Sequence, residues 1–237
     1  MMKCKAFSKG ISVLLVMFGA VFVSAEPQAW TDGVQVYSYG SIGYCDLNIQ
    51  SLNKTMANLK LSPFASKPLQ VELGSQLFVE HLVLESSLGG LLFDPRKADN
   101  QKATLLGGYG QLALGMNIIG EGSSWKLFPF FGVGAQVFRF AYHEDAAKFG
   151  AQASVKDPQV YWMPTFFTSY GCTIQKSFRI EGSKDLFTIG VRGGVYVDPT
   201  IQSTWYNRGV RYQSGPTPQF SGPFLQVIIG SGSFIPG

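Results

Sequence analysis

His81 and His143 are the only histidines in the chain, so imidazole chemistry has two places to occur. His143-Glu144-Asp145 lacks the second histidine, one helical turn on, that a zinc-protease helix requires. No metal site is therefore expected. A nucleophilic or acid–base site would need His143 beside a serine or an acid; no other segment offers that grouping, and a solvated histidine is the plainer reading. Gly107-Gly108-Tyr109-Gly110 and Gly132-Val133-Gly134 match neither a dinucleotide fingerprint nor a phosphate loop followed by Lys-Ser/Thr. No cofactor and no catalytic residue are expected. Glu72, Glu85 and Arg192 are more informative, because each falls in the middle of a segment that otherwise alternates apolar and polar residues.

The composition says what kind of element holds them. Only 14% of residues are charged, 14% are aromatic, and 28 of the 237 are glycine. An average soluble domain is about 25% charged. Residues 1–25 read as a secretory signal peptide: Lys3, Lys5 and Lys9, an apolar stretch from Ile11 to Val23, then Val23-Ser24-Ala25 with cleavage expected after Ala25. The apolar stretch is shorter than the roughly 20 residues of a spanning helix. Without the three signal lysines, 16 basic residues face 15 acidic ones, which leaves no electrostatic footprint for nucleic acid. Residues 26–237 are expected to form one domain. They contain no run of 18 apolar residues, so any membrane crossing must use a closed barrel, which leaves no sheet edge in lipid.

Period-two alternation recurs eight times. In 69–78, Leu69, Val71, Leu73 and Leu77 oppose Gln70, Glu72, Gly74 and Gln76. After a turn at 79–81, Leu82, Leu84, Leu88 and Leu92 oppose Glu85, Ser87 and Gly89. The same rhythm runs through 104–119, 126–142, 159–174 and 186–198, where Arg192 lies on the polar face. A first strand is expected at 34–45, with Val34, Val36, Ile42 and Tyr44 on one face. The last, 218–234, has apolar residues in both phases, and a bulge would reconcile them. Connections near 79–81, 119–125 and 175–185 are shorter on average than those near 46–68, 94–103, 143–158 and 199–217. Short periplasmic turns and long outer loops alternate in this way in outer-membrane barrels.

The C-terminal stretch Phe220 to Gly230, ending in Phe234, resembles the last strand of small bacterial outer-membrane barrels. Pro129-Phe130-Phe131-Gly132-Val133-Gly134-Ala135 is similar to a strand common in OmpA- and OmpW-like barrels. The resemblance covers most of the chain in rhythm, although Ile235-Pro236-Gly237 displace the usual terminal aromatic. It implies an all-β, antiparallel, eight-stranded transmembrane barrel of up-and-down topology, and recognition of the strand ending at Phe234 by the barrel-insertion machinery. Some barrels of this size are lipid-modifying enzymes with a histidine near the outer rim, for which only His143 could serve here.

On that frame Glu72, Glu85 and Arg192 point into the lumen, as an ion pair that plugs it or as a gate. Arg96, Lys97, Lys102, Arg208 and Arg211 fall in outer loops, where outer-membrane lipid or a host surface molecule could meet them. Trp30, Tyr37, Tyr44, Phe128, Phe131, Trp162, Tyr170 and Trp205 are expected to form interfacial girdles. Cys45 and Cys172 fall at opposite ends of their strands, beyond disulfide reach. The expected function is a structural, surface-exposed barrel or a narrow pore for small solutes. The alternatives are a lipid-modifying barrel enzyme and a secreted lipocalin-like barrel, which would be apolar inside and charged outside.

Overall fold

The computed structural model describes residues 33–98, 101–119, 123–144, 159–179, 183–213 and 215–235. The expected signal peptide, its cleavage site at Ala25, and Trp30 lie outside them. In chain order the elements are β1 (Val34–Cys45), α1 (Gln50–Asn58), β2 (Leu69–Val79), β3 (Leu82–Leu92), β4 (Arg96–Ala98), β5 (Gln101–Met116), β6 (Trp125–Glu144), β7 (Gln159–Arg179), β8 (Asp185–Val197), β9 (Thr204–Asn207), β10 (Val210–Gln213) and β11 (Gly222–Ile235).

Eight long strands, β1, β2, β3, β5, β6, β7, β8 and β11, pair antiparallel with their chain neighbours. Pairing of β1 with β11 closes the barrel. The eight expected strands are these eight, with ends displaced by a few residues. The last strand carries no bulge: from Gly222 to Ser233 it pairs without interruption with β8, and on to Ile235 with β1. Both of its apolar phases are used. Leu225, Val227 and Ile229 face outward, whereas Phe224 and Ile228 are buried inside.

Outside and inside are inverted relative to a soluble barrel. Leu84, Leu88, Leu112, Leu114, Val133, Phe166, Val191 and Val227 are exposed, while Gln70, Glu72, Glu85, Gln111 and Arg192 are buried. That inversion removes the lipocalin-like alternative and is the pattern of a barrel that faces lipid. The 11-residue strands β2 and β3 would each be about 36 Å long at about 3.3 Å per residue. At a tilt of about 40° they rise about 28 Å, close to the apolar height of a bilayer-spanning barrel.

The aromatic expectation divides. Tyr44, Phe131, Trp162 and Tyr170 face outward, but Tyr37, Phe128 and Trp205 are interior. Tyr37 is an odd number of residues from Tyr44, and Phe128 from Phe131, so in a regular strand each pair must face opposite ways. Cys45 and Cys172 are free thiols.

The two ends differ. At one end β2 and β3 are joined by Glu80-His81, and few residues separate β5 from β6 and β7 from β8. At the other end β5, β6 and β7 run on past the shorter strands, and β4 and the β9–β10 hairpin extend the wall. The segment between β1 and β2, which alternation alone leaves as a loop, contains α1. Leu52 and Met56, one turn apart on its buried face, sink with Leu47, Ile49, Leu61 and Phe64 into the barrel mouth.

Candidate functional site

Three tiers of side chains fill the lumen between the short turns and the mouth. Nearest the short turns, Phe78 makes edge-to-face contacts with Tyr37 and Phe128. Toward the mouth, Tyr196 stacks on Phe220 and on Phe224 with centroids 4.3 Å apart, Phe167 meets Phe220 edge-on, and Tyr109 packs tilted against Phe220. Between these aromatic tiers lies the polar cluster around Arg192.

Alternation places each member. Arg192 stands on β8 opposite Thr173 of β7 and Gln226 of β11. Its Nε donates to Thr173 Oγ1 at 3.1 Å, and Nη1 donates to Tyr39 Oη and to Glu72 Oε1 at 3.1 and 3.2 Å. Nη2 forms an ion pair with Glu85 Oε2. The guanidinium also lies over the Phe130 ring, 5.0 Å from its centroid. Arg192 is 1% exposed, and Glu72 and Glu85 are 3% and 6% exposed. The structure thus brings together all three charges placed on the polar faces.

The carboxylates have further donors. Tyr39 Oη lies 2.9 Å from an oxygen of each glutamate. Tyr109 Oη donates to Glu72 Oε2 at 2.6 Å, and Gln76 Nε2 to Glu85 Oε2 at 2.9 Å. Gln70 Nε2 donates to Tyr109 and Tyr196, tying the cluster to the aromatic tier above it. A buried ion pair is tolerable only when its remaining lone pairs are satisfied in this way. Two glycines make room. A Cβ on Gly74 would collide with the Tyr39 ring, and one on Gly89 would collide with the Tyr109 ring. Each tyrosine therefore lies flat against the wall where the facing strand has no side chain.

Gln70, Gln76 and Tyr109 share the phase of Glu72 or an equivalent polar face, so their inward direction is legible in the sequence. Their choice of partner is not, because Glu72, Tyr109 and Arg192 stand on strands far apart in the chain. Lys126, also interior, lies 5.9 Å over the Phe78 ring.

The five basic residues expected in outer loops do not form one group. Lys97 and Lys102 are exposed and directly opposite each other on β4 and β5. Arg96 faces the other way, opposite buried Ala103, with its guanidinium 5.9 Å over the Phe64 ring of the mouth segment. Arg208 is at the tip of the β9–β10 hairpin, where it and Gly209 have φ of 49° and 81°. Positive φ at both residues is the two-residue turn that matches strand twist. Arg211 is exposed on β10. His143 lies opposite Lys102 near the mouth, whereas His81 is at the short-turn end, with Nδ1 3.0 Å from the Asn117 carbonyl oxygen. Among the described residues no group of three or more His, Cys, Asp or Glu could hold a metal ion.

No family model and no curated protein matches the chain. Among solved structures, a major outer membrane protein from Thermus thermophilus is similar at 10% identity and a TM-score of 0.49, over 85% of this chain and 99% of that one. Ail, the attachment invasion locus protein of Yersinia pestis, solved with the heparin analogue sucrose octasulfate, is similar at 9% identity and a TM-score of 0.42, over 86% of this chain and 99% of that one. Neisserial surface protein A is similar at 9% identity and a TM-score of 0.35, over 84% of this chain and 96% of that one.

Proposed function

We propose that this protein is a bacterial outer-membrane barrel with a closed lumen, whose activity resides in the surface it presents at the long-loop end. The observation that carries this reading is the filled interior. Arg192, locked to Glu72 and Glu85, lies between two aromatic tiers, and the α1 segment occupies the mouth. An eight-stranded barrel is only about wide enough to be filled by its own side chains, and here large ones fill it. The apolar outer wall supports the membrane setting, and the lumen network supports a structural lock over a pore for small solutes.

On this reading residues 1–25 are an export signal cleaved after Ala25, and 26–237 are the mature barrel. Its C-terminal strand, with Phe234 opposite Gln35, presents the insertion signal, and its rhythm follows that of OmpA- and OmpW-like barrels. Outer-membrane lipid surrounds the wall, and a host surface molecule would be met by the long-loop end. We assign no catalytic step. Among the described residues, no hydrogen bond joins His143 to a serine or an acid.

Planar-bilayer recording of refolded protein, with folding established by heat-modifiable gel mobility, tests the proposal. Folded protein is expected to be silent. Discrete, reproducible conductance steps would overturn the closed-lumen reading. If Arg192→Ala, still folded, raises conductance from silence, Arg192 is the gate; unchanged silence leaves the aromatic tiers and the mouth segment as sufficient seals.

A further inference from the structure

Strand register places an unusual sequence of side chains on the outer wall near the mouth. Leu106 of β5 is opposite Arg139 of β6, which is opposite Trp162 of β7. Trp162 is opposite Tyr206 of β9, which is opposite Arg211 of β10. Directly paired residues share a face, and exposed Leu106, Trp162 and Tyr206 fix that face as the outer one. Two aromatic rings are therefore flanked in register by two arginines, at the upper limit of the apolar wall. The Arg139 guanidinium lies 5.6 Å over the Trp162 ring.

A second row lies farther toward the loops. Lys97, Lys102 and His143 are directly opposed across β4, β5 and β6. Lys102 is four residues beyond Leu106 on β5, or about 13 Å along the strand. Directly opposed like charges are unfavourable unless something between them is negative. Among the described residues, no salt bridge neutralises Lys97, Lys102, Arg139 or Arg211.

We propose that this part of the outer wall binds the phosphates of a lipid headgroup in the outer leaflet. The assignment rests on the membrane reading above. Tryptophan and tyrosine settle at the membrane interface, with one side apolar and the other wet. Arginine and lysine just beyond them meet phosphate, which arginine holds by charge-assisted hydrogen bonds. The separation of the two cationic rows suits a headgroup with more than one phosphate. The acyl chains would lie on the apolar wall below Trp162, beside exposed Phe166 and Val133.

Full-length chain refolded in micelles holding equal amounts of phosphatidylcholine and diphosphoryl lipid A, followed by native mass spectrometry, tests this. The unaltered protein is expected to retain the diphosphorylated lipid over phosphatidylcholine by at least about tenfold, given that one cation near an anionic surface contributes roughly fivefold. A Lys97→Gln, Lys102→Gln, Arg211→Gln variant with unchanged heat-modifiable mobility should lower that ratio by at least about fivefold. Lys176→Gln, at the short-turn end, should leave it unchanged. A ratio near unity in the unaltered chain, or an unchanged ratio in the triple variant, overturns the proposal. Retention of inorganic phosphate by the unaltered chain without retention of the diphosphorylated lipid would mean a site for a soluble anion and would also overturn it. Failure of the chain to enter lipid at all would instead overturn the membrane reading.

Discussion

The middle of the lumen and its mouth are both blocked, but by opposite chemistry. In the middle, Arg192, Glu72, Glu85, Tyr39 and Gln76 form a polar cluster held by directional bonds. At the mouth, Leu47, Ile49, Leu52, Met56 and Phe64 form an apolar core with Trp205 and Phe220. The first resembles an ion-pair lock and the second the interior of a soluble domain. The difference follows from where each lies. In the middle, the outer face is given to lipid, so polarity is left for the inside. At the mouth the strands rise beyond that apolar belt, and the ordinary rule of apolar interiors returns. The polar lock should therefore fail abruptly when one partner is lost, while the apolar mouth should lose stability in proportion to what is removed.

Arg192→Ala tests this most severely. It leaves Glu72 and Glu85 buried with no cation, a loss expected to cost about 3–5 kcal/mol. Urea-dependent unfolding in lipid vesicles, read by tryptophan fluorescence and heat-modifiable mobility, measures it. Neutralising the glutamates as well, with Arg192→Met, Glu72→Gln and Glu85→Gln together, should recover most of the loss, because the desolvated charge disappears with its partner. If the single substitution costs less than about 1 kcal/mol, the lumen is wet enough to solvate free carboxylates.

These two seals were unequally legible in the sequence. Alternation in 69–78, 82–92 and 186–198 assigns Glu72, Glu85 and Arg192 to the interior before any coordinate is known, because a two-residue period leaves each side chain one direction. It also gives all eight strands. It does not give the partners: Tyr39 meets Glu72 only because Gly74 leaves the facing wall bare. The mouth was not legible, since 46–68 has no strand period and the helix within it is only 9 residues long. A segment that short is stabilised chiefly by what it packs against. The apparent bulge in the last strand has a related cause. Phe224 and Ile228 look out of phase only if apolar residues belong outside, yet Phe224 stacks on Tyr196 at 4.3 Å in the aromatic tier. Arg96 and Lys97 show the same limit: adjacent in sequence and both basic, they face opposite ways once β4 pairs with β5.

Leu52→Ala probes the apolar mouth. Leu52 is fully buried, and truncating such a leucine costs about 3 kcal/mol through lost burial and the cavity left behind. The effect should be local. Limited proteolysis is expected to cut within 46–68 sooner, while heat-modifiable mobility, which reports the barrel wall, changes little. Equal loss in both measurements would mean that the mouth and the wall unfold as one unit, and that the contrast between the two seals is one of composition only.

Tyr109→Phe is the smallest and sharpest comparison, because Tyr109 belongs to both regimes. Its ring packs against Phe167 and Phe220, while its hydroxyl donates to Glu72 and accepts from Gln70. Removing the oxygen keeps the packing and takes one donor from a buried carboxylate, for an expected cost of about 2 kcal/mol. In a double-mutant cycle with Glu72→Gln, most of that cost should vanish, since the charge that demanded the donor is gone. A cost that persists unchanged in the Glu72→Gln background would place the role of Tyr109 in the aromatic tier. The polar lock would then extend no further toward the mouth than Arg192 itself.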